Sequence, residues 1–163
     1  MTDLGHEIVA FEAQADCYVV NTCSVTAVAD KKNRAVIRRC KKAHPEALLA
    51  VCGCYPQHGA EALRSLEIDV LGGSGNREEF VGMLLEALRN RTRTEKVDNA
   101  LRRREFEILP AGGLEERTRA MVKVQDGCVN FCTYCIIPYT SLQISIQISA
   151  TLYICVLQKV KND

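Results

Sequence analysis

Short apolar, β-prone runs alternate with stretches of helical periodicity over the first 90 residues. The runs at 17–21, 48–52 and 68–71 predict buried strands. Helices are predicted at 25–43, from the mid-50s to about 66, and from 76 onward. Strands that alternate with helices through short loops predict an α/β fold with a parallel sheet.

The predicted helices carry local start and stop signals. Ser24 or Thr26 is a suitable N-cap for the first helix, which His44-Pro45 ends. Asn76 followed by Glu79 resembles a capping box for the third. The glycine-rich turn 72–75 lacks the lysine of a phosphate-binding loop, so we interpret it as a simple turn.

Three cysteines in C-x3-C-x2-C spacing occupy one loop, which opens with Gly127 and follows a predicted strand at 118–125. They are Cys128, Cys132 and Cys135. Thiolates this close together can converge on a metal ion or an iron–sulfur cluster. Zinc usually takes four ligands, so an isolated trio suits it less well. A 4Fe–4S cluster held by three cysteines would leave one iron free for a substrate or cofactor.

Two further cysteines, Cys23 and Cys54, each follow a predicted strand. Ligands bind at the carboxyl ends of strands in open α/β sheets, so both are candidate ligands. The other four cysteines lie in apolar or amphipathic patterns, where buried free thiols are expected: Cys17, Cys40, Cys52 and Cys155.

The odd cysteine count and the charged N-terminal residues disfavour a secreted disulfide scaffold. We therefore expect a reduced, cytoplasmic chain. No window is apolar over the roughly 20 residues that a membrane span requires, so no membrane partner is expected.

The first predicted helix has a strongly basic face. Its cations are Lys31, Lys32, Arg34, Arg38, Arg39, Lys41 and Lys42, with no acid among them. Two interpretations stay open, a solvated surface and a platform for a polyanion such as RNA.

Together these motifs give the chain a strong resemblance to the radical-SAM methylthiotransferases over roughly residues 7–140. The resemblance rests on Asn21-Thr22-Cys23, on 53–57 and on the run 124–138. Residues 30–34 and 36–39, together with the run 124–138, are most similar to the branch that acts on threonylcarbamoyladenosine in tRNA.

The resemblance implies a transferase with two 4Fe–4S clusters that uses S-adenosyl-L-methionine, tRNA and an electron donor. Cys128, Cys132 and Cys135 would hold the cluster that binds S-adenosylmethionine and cleaves it to a deoxyadenosyl radical. Tyr134 would pack near the adenine of that cofactor. Cys23 and Cys54 would be two of three ligands of an auxiliary cluster that supplies sulfur.

The resemblance also implies a domain plan. Residues 1–90 would form an N-terminal α/β methylthiotransferase domain without its first strand, and 91–117 a linker. Residues 118–140 would begin a radical-SAM partial barrel, and 141–163 would be a β-prone, aggregation-prone tail outside the family pattern.

The chain departs from the family at both ends. The third auxiliary ligand would precede the chain, and Cys17, inside a strand, is not expected to replace it. The tail looks like translation past a frameshift. We therefore predict that this chain alone is not a competent enzyme. The alternatives are a non-catalytic iron–sulfur or RNA-binding module, and a non-functional remnant with an exposed sheet edge.

Overall fold

A computed structural model describes residues 5–103, 125–141 and 144–145. Its strands are β1 (Cys17–Thr22), β2 (Leu48–Gly53), β3 (Val70–Gly72), β4 (Thr94–Lys96), β5 (Gln125–Asp126) and β6 (Ile144–Ser145). Its helices are α1 (Ala27–Ala43), α2 (Cys54–Arg64), α3 (Arg77–Asn90) and α4 (Ile137–Thr140), with a 3-10 helix at Ala100–Arg102.

The first four strands form one parallel sheet in the order β1-β2-β3-β4. Strands β1 and β2 are paired from Cys17↔Leu48 to Thr22↔Gly53, and β1 lies at the edge of this sheet. Helices α1, α2 and α3 connect successive strands. The predicted parallel α/β fold is confirmed for this part of the chain.

Strand β4 lies inside the segment predicted to be a linker. Thr94 pairs with Val70, and its N–H also donates to the carbonyl oxygen of Asp69 at 2.8 Å. The linker prediction is therefore wrong at β4, because three polar residues can complete a sheet edge without an apolar pattern. Residues 104–117 lie outside the described ranges.

The core consists of two apolar clusters, one on each face of the sheet. Side chains alternate along β2, so Leu49 and Val51 join the cluster under α1 and α2. Leu48 and Ala50 join the cluster under α3. Because both faces are covered, β2 is apolar along most of its length and central to the domain.

The helix caps match the sequence only in part. Thr26 caps α1, since its side chain accepts a hydrogen bond from the Ala29 N–H at 3.1 Å. The capping-box prediction for α3 is wrong, because Asn76 has a φ of 52° and forms no side-chain cap bond. Glu78 and Glu79 still place acidic groups in the first turn, where the helix dipole favours them.

The C-terminal part is described only around the cysteine loop. Strands β5 and β6 form a two-residue antiparallel pair. The predicted strand at 118–125, and with it the start of a barrel, falls almost entirely outside the described residues, as does most of the tail. No helix in the described ranges is long and apolar enough to cross a membrane.

Candidate functional site

Two of the predicted ligands lie side by side at the carboxyl edge of the parallel sheet. Thr22 and Gly53 are the last paired residues of β1 and β2, and Cys23 and Cys54 follow them directly. Neighbouring strands are about 4.8 Å apart, so the two turns emerge next to each other. Cys23 is exposed and Cys54 is half-buried.

Thr22 and Gly53 hold the two cysteine turns together. The buried Thr22 hydroxyl donates to the Cys52 carbonyl oxygen at 2.7 Å and accepts from the Tyr55 N–H at 3.2 Å. Gly53 has a φ of 101°, and a Cβ there would collide with the Thr22 carbonyl oxygen. Glycine at this position is therefore required for the close approach of the turns.

A polar chain at the start of α1 supports the Cys23 turn. The buried Ser24 hydroxyl donates to the Asp30 carboxylate, which lies 3.6 Å from His58 Nε2 on α2. Asn33 donates to the Cys23 carbonyl oxygen at 2.9 Å. Asp30 and Asn33 of the segment 30–34 therefore have a structural role beside the Cys23 turn, which no local sequence pattern indicates.

The loop that carries the other three predicted ligands is open. Cys132 is exposed, while Cys128 and Cys135 are half-buried. The Cys135 N–H donates to the Cys132 carbonyl oxygen at 2.9 Å, which forms a tight turn between these two cysteines. Phe131 has a φ of 46° and packs edge-on against Tyr139 at 5.8 Å between ring centroids.

The loop is joined to the same edge of the sheet through the residues that follow it. Ser74, two residues past the end of β3, donates from its hydroxyl to the Thr140 carbonyl oxygen. The Gly53 N–H donates to the Gly73 carbonyl oxygen at 3.0 Å. The Cys54 turn and the segment after Cys135 therefore contact one glycine-rich turn.

The candidate ligands are of the type that holds iron–sulfur clusters, since all five are thiols. They lie in loops or at helix starts, and none belongs to the two core clusters. Within the described residues, however, no three His, Cys, Asp or Glu side chains are gathered closely enough to hold a metal ion. Cluster binding would require a rearrangement of the cysteine loop that brings its three thiols closer to one another.

Of the thiols predicted to be buried, Cys40 is buried, whereas Cys17 and Cys52 are half-buried. Burial raises the pKa of Cys40 and Cys52, and raises that of Cys17 to about 11, with Asp69 contributing. Cys17 begins β1, roughly 16 Å along the strand from Thr22. It therefore lies at the opposite end of β1 from Cys23, and the expectation that it does not replace the third ligand stays a prediction. Cys155 lies outside the described residues.

Five of the seven cations on α1 point to solvent. They are Lys31, Lys32, Arg38, Arg39 and Lys42. The other two have partners within the domain. Arg34 donates to the Tyr55 hydroxyl at 2.5 Å and lies over its ring, and Lys41 is 3.7 Å from Asp69. The predicted basic face is therefore smaller than the sequence indicated.

Tyr134, the predicted adenine contact, is 90% exposed. Packing within the described residues therefore does not account for an aromatic side chain at this position, and its role stays a prediction.

Comparison with known proteins gives consistent matches over most of the chain. The profile of the uncharacterized protein family UPF0004 matches residues 1–73. The threonylcarbamoyladenosine tRNA methylthiotransferase MtaB of Bacillus subtilis is 41% identical over 138 residues, which are 84% of this chain and 31% of that protein.

Two further relatives match a similar share of the chain. The protein of the same name from Aquifex aeolicus is 38% identical over 83% of this chain and 33% of its own length. A tRNA-2-methylthio-N(6)-dimethylallyladenosine synthase from Syntrophotalea carbinolica is 33% identical over 83% of this chain and 32% of its own length. The chain thus spans about a third of the length of these curated relatives.

Proposed function

Since the chain belongs to the methylthiotransferase family, we propose that it is part of an enzyme that adds a methylthio group to threonylcarbamoyladenosine in tRNA. The names of two relatives support this nucleoside, and a third is named for dimethylallyladenosine. The wider class, methylthio transfer to a modified adenosine of tRNA, is common to all three names.

One observation carries the proposal. The turns at Cys23 and Cys54 and the segment after the cysteine loop meet at the carboxyl edge of one sheet. This is the edge at which open α/β sheets bind ligands. The arrangement is suited to a reaction in which two groups of thiols serve one substrate.

In this proposal Cys128, Cys132 and Cys135 hold a 4Fe–4S cluster, while Cys23 and Cys54 contribute to a second. A cluster with a free iron would bind S-adenosyl-L-methionine and, with an external electron donor, supply the reducing electron for its cleavage. Tyr134 would contact the adenine, for which its exposed ring is available. The chain's own contribution is to hold and orient the thiolates.

The test is anaerobic reconstitution of the full chain with iron and sulfide, followed by iron and sulfide analysis. We expect visible absorption and about four irons per chain for one cluster, or about eight for two. Cys132→Ala should abolish the cluster of the loop, because two thiolates cannot replace three. Cys17→Ala is the matched control, since Cys17 lies at the amino end of β1, away from the carboxyl edge of the sheet.

A colourless product without bound iron would contradict the proposal. Equal loss of iron in Cys17→Ala and Cys132→Ala would contradict the assigned ligands. If Cys23→Ala and Cys54→Ala leave the iron content unchanged, the second cluster is wrong.

A further inference from the structure

The guanidinium group of Arg103 lies against the glycine-rich turn 72–75. A Cβ on Gly75 would come within 2.8 Å of the Arg103 Cζ, and a Cβ on Gly73 within 2.5 Å of Gln57 Oε1. Real Cβ atoms do not approach so closely. Glycine at these two positions therefore leaves the space that Arg103 and Gln57 occupy.

Arg103 is a nearly buried cation with a full set of acceptors. Its side chain is 11% exposed and forms an ion pair with Asp98, to which Nε donates at 2.6 Å. Nη2 also donates to Gln57 Oε1 at 2.8 Å, and Nη1 donates to the Ser74 hydroxyl at 2.8 Å. A planar fork of donors suits such a set of acceptors, whereas an ammonium group would reach fewer of them.

These hydrogen bonds decide where the Ser74 hydroxyl proton points. A serine hydroxyl has one proton to donate and two lone pairs to accept with. Ser74 Oγ accepts from Arg103 and donates to the Thr140 carbonyl oxygen. The competing acceptor, Gln57 Oε1 at 3.3 Å, already receives the Ser74 N–H at 3.0 Å and Arg103 Nη2. Arg103 thus favours the bond from Ser74 to Thr140.

The receiving segment is firmly packed although the loop before it is open. Pro138 and Thr140 are fully buried, and α4 contacts α2 and the 3-10 helix. Val129 and Tyr134 in the preceding loop are 61% and 90% exposed. The fixed end of the cysteine loop is therefore α4.

We propose that Gln57, Ser74, Asp98 and Arg103 form a polar latch that holds α4 against the carboxyl edge of the sheet. Arg103 is a positioning residue that acts through Ser74 and not through any contact with a substrate. By holding α4 the latch sets where Cys135 lies relative to the Cys23 and Cys54 turns. That consequence rests on the proposed function, whereas the latch itself needs no metal.

The test is hydrogen exchange of the metal-free full chain on the millisecond-to-minute scale. The reporters are the Tyr139 and Ser141 N–H groups, which donate to the Ile136 and Ile137 carbonyl oxygens. Ser74→Ala and Arg103→Ala should each accelerate their exchange about tenfold, as expected for the loss of one partly buried hydrogen bond. Exchange within β2 should not change.

Two exposed neighbours supply matched controls. Arg102→Ala removes an exposed arginine from the same 3-10 helix, and Ser65→Ala removes an exposed hydroxyl that donates to the Ala62 carbonyl oxygen. Both should exchange like the unmodified chain. Arg103→Lys keeps the charge without the fork and should resemble Arg103→Ala.

Unchanged exchange at Tyr139 and Ser141 in Ser74→Ala would overturn the latch. So would equal acceleration in Arg102→Ala. If Arg103→Ala also accelerates exchange in β2, that variant has lost the fold of the domain. The exchange of Tyr139 and Ser141 in Ser74→Ala then decides whether the latch exists. Because no iron is present, a chain that binds no cluster would contradict the proposed function and leave the latch intact.

Discussion

Two groups of cysteines differ in their surroundings at the residue scale. Cys23 and Cys132 are exposed, whereas Cys17 and Cys52 pack against the cluster under α3. Burial disfavours the thiolate, which is the form that binds metals and reacts with alkylating agents. Exposure therefore separates the candidate ligands Cys23 and Cys132 from the thiols of Cys17 and Cys52.

Alkylation should reveal this difference directly. At pH 8, iodoacetamide should modify Cys23 and Cys132 well before Cys17, whose pKa is raised from 9.0 to about 11. Peptide mass spectrometry after timed quenching measures the order. Modification of Cys17 as fast as that of Cys132 in the folded chain would contradict the prediction.

The same pKa gives a sign for alkaline stability. Because the folded-state pKa of Cys17 is raised, its contribution to the free energy of unfolding is complete below pH 9 and is lost as the pH rises toward 11. Cys17→Ala should remove that part of the decline, which denaturant titration at pH 8 and pH 10.5 would measure. An equal decline in both proteins would contradict this assignment.

At the element scale, two helical glycines have opposite surroundings. Gly82 in α3 has nothing within 4 Å of the place where a Cβ would stand. Gly59 in α2 has a φ of −124° at a kink, and a Cβ there would come within 2.6 Å of the Tyr55 ring. Tyr55 is buried and holds Arg34, so the ring has little room to move.

The two alanine substitutions should therefore change stability in opposite directions. Gly82→Ala should raise the free energy of unfolding by about 0.5–1 kcal/mol, because alanine loses less backbone entropy in a helix. Gly59→Ala should lower it by about 1–3 kcal/mol through overpacking against Tyr55. Urea unfolding followed by circular dichroism measures both, and the same sign for both would contradict the packing described for Gly59.

At the scale of the whole molecule, charge is distributed unevenly although the net charge is only +1. Lys31, Lys32, Arg38, Arg39 and Lys42 form an exposed basic surface on α1, and none has an ion-pair partner among the described residues. Helix α1 starts beside the Cys23 turn. A polyanion bound along this surface would reach the carboxyl edge of the sheet.

Exposed arginines elsewhere allow a matched test of tRNA contact. Arg38→Gln with Arg39→Gln should weaken binding of a tRNA that contains threonylcarbamoyladenosine, and should reduce the slope of log affinity against log salt by about 2. Arg89→Gln with Arg102→Gln makes the same change in net charge on α3 and the 3-10 helix. Fluorescence anisotropy over a salt series measures both.

The control variant, Arg89→Gln with Arg102→Gln, should leave the slope unchanged. Equal losses of affinity in the two double variants would mean that binding follows net charge alone. No loss in either would mean that the basic surface of α1 does not contact tRNA. The iron content of the chain is measured separately, so either outcome of the tRNA-binding test leaves the cluster proposal to its own experiment.

The sequence by itself determined the parallel sheet, because β-prone runs alternate with segments of helical periodicity. Both patterns depend only on residues that are close together in the sequence. It also determined which cysteines follow strands, and so the common edge of Cys23 and Cys54. Only the tertiary structure revealed β4 and the position of Arg103 against the glycine-rich turn. It also revealed the contacts of Arg34 with Tyr55 and of Lys41 with Asp69. These features depend on contacts between residues distant in sequence, such as the 46 positions that separate Gln57 from Arg103, and no local pattern encodes them.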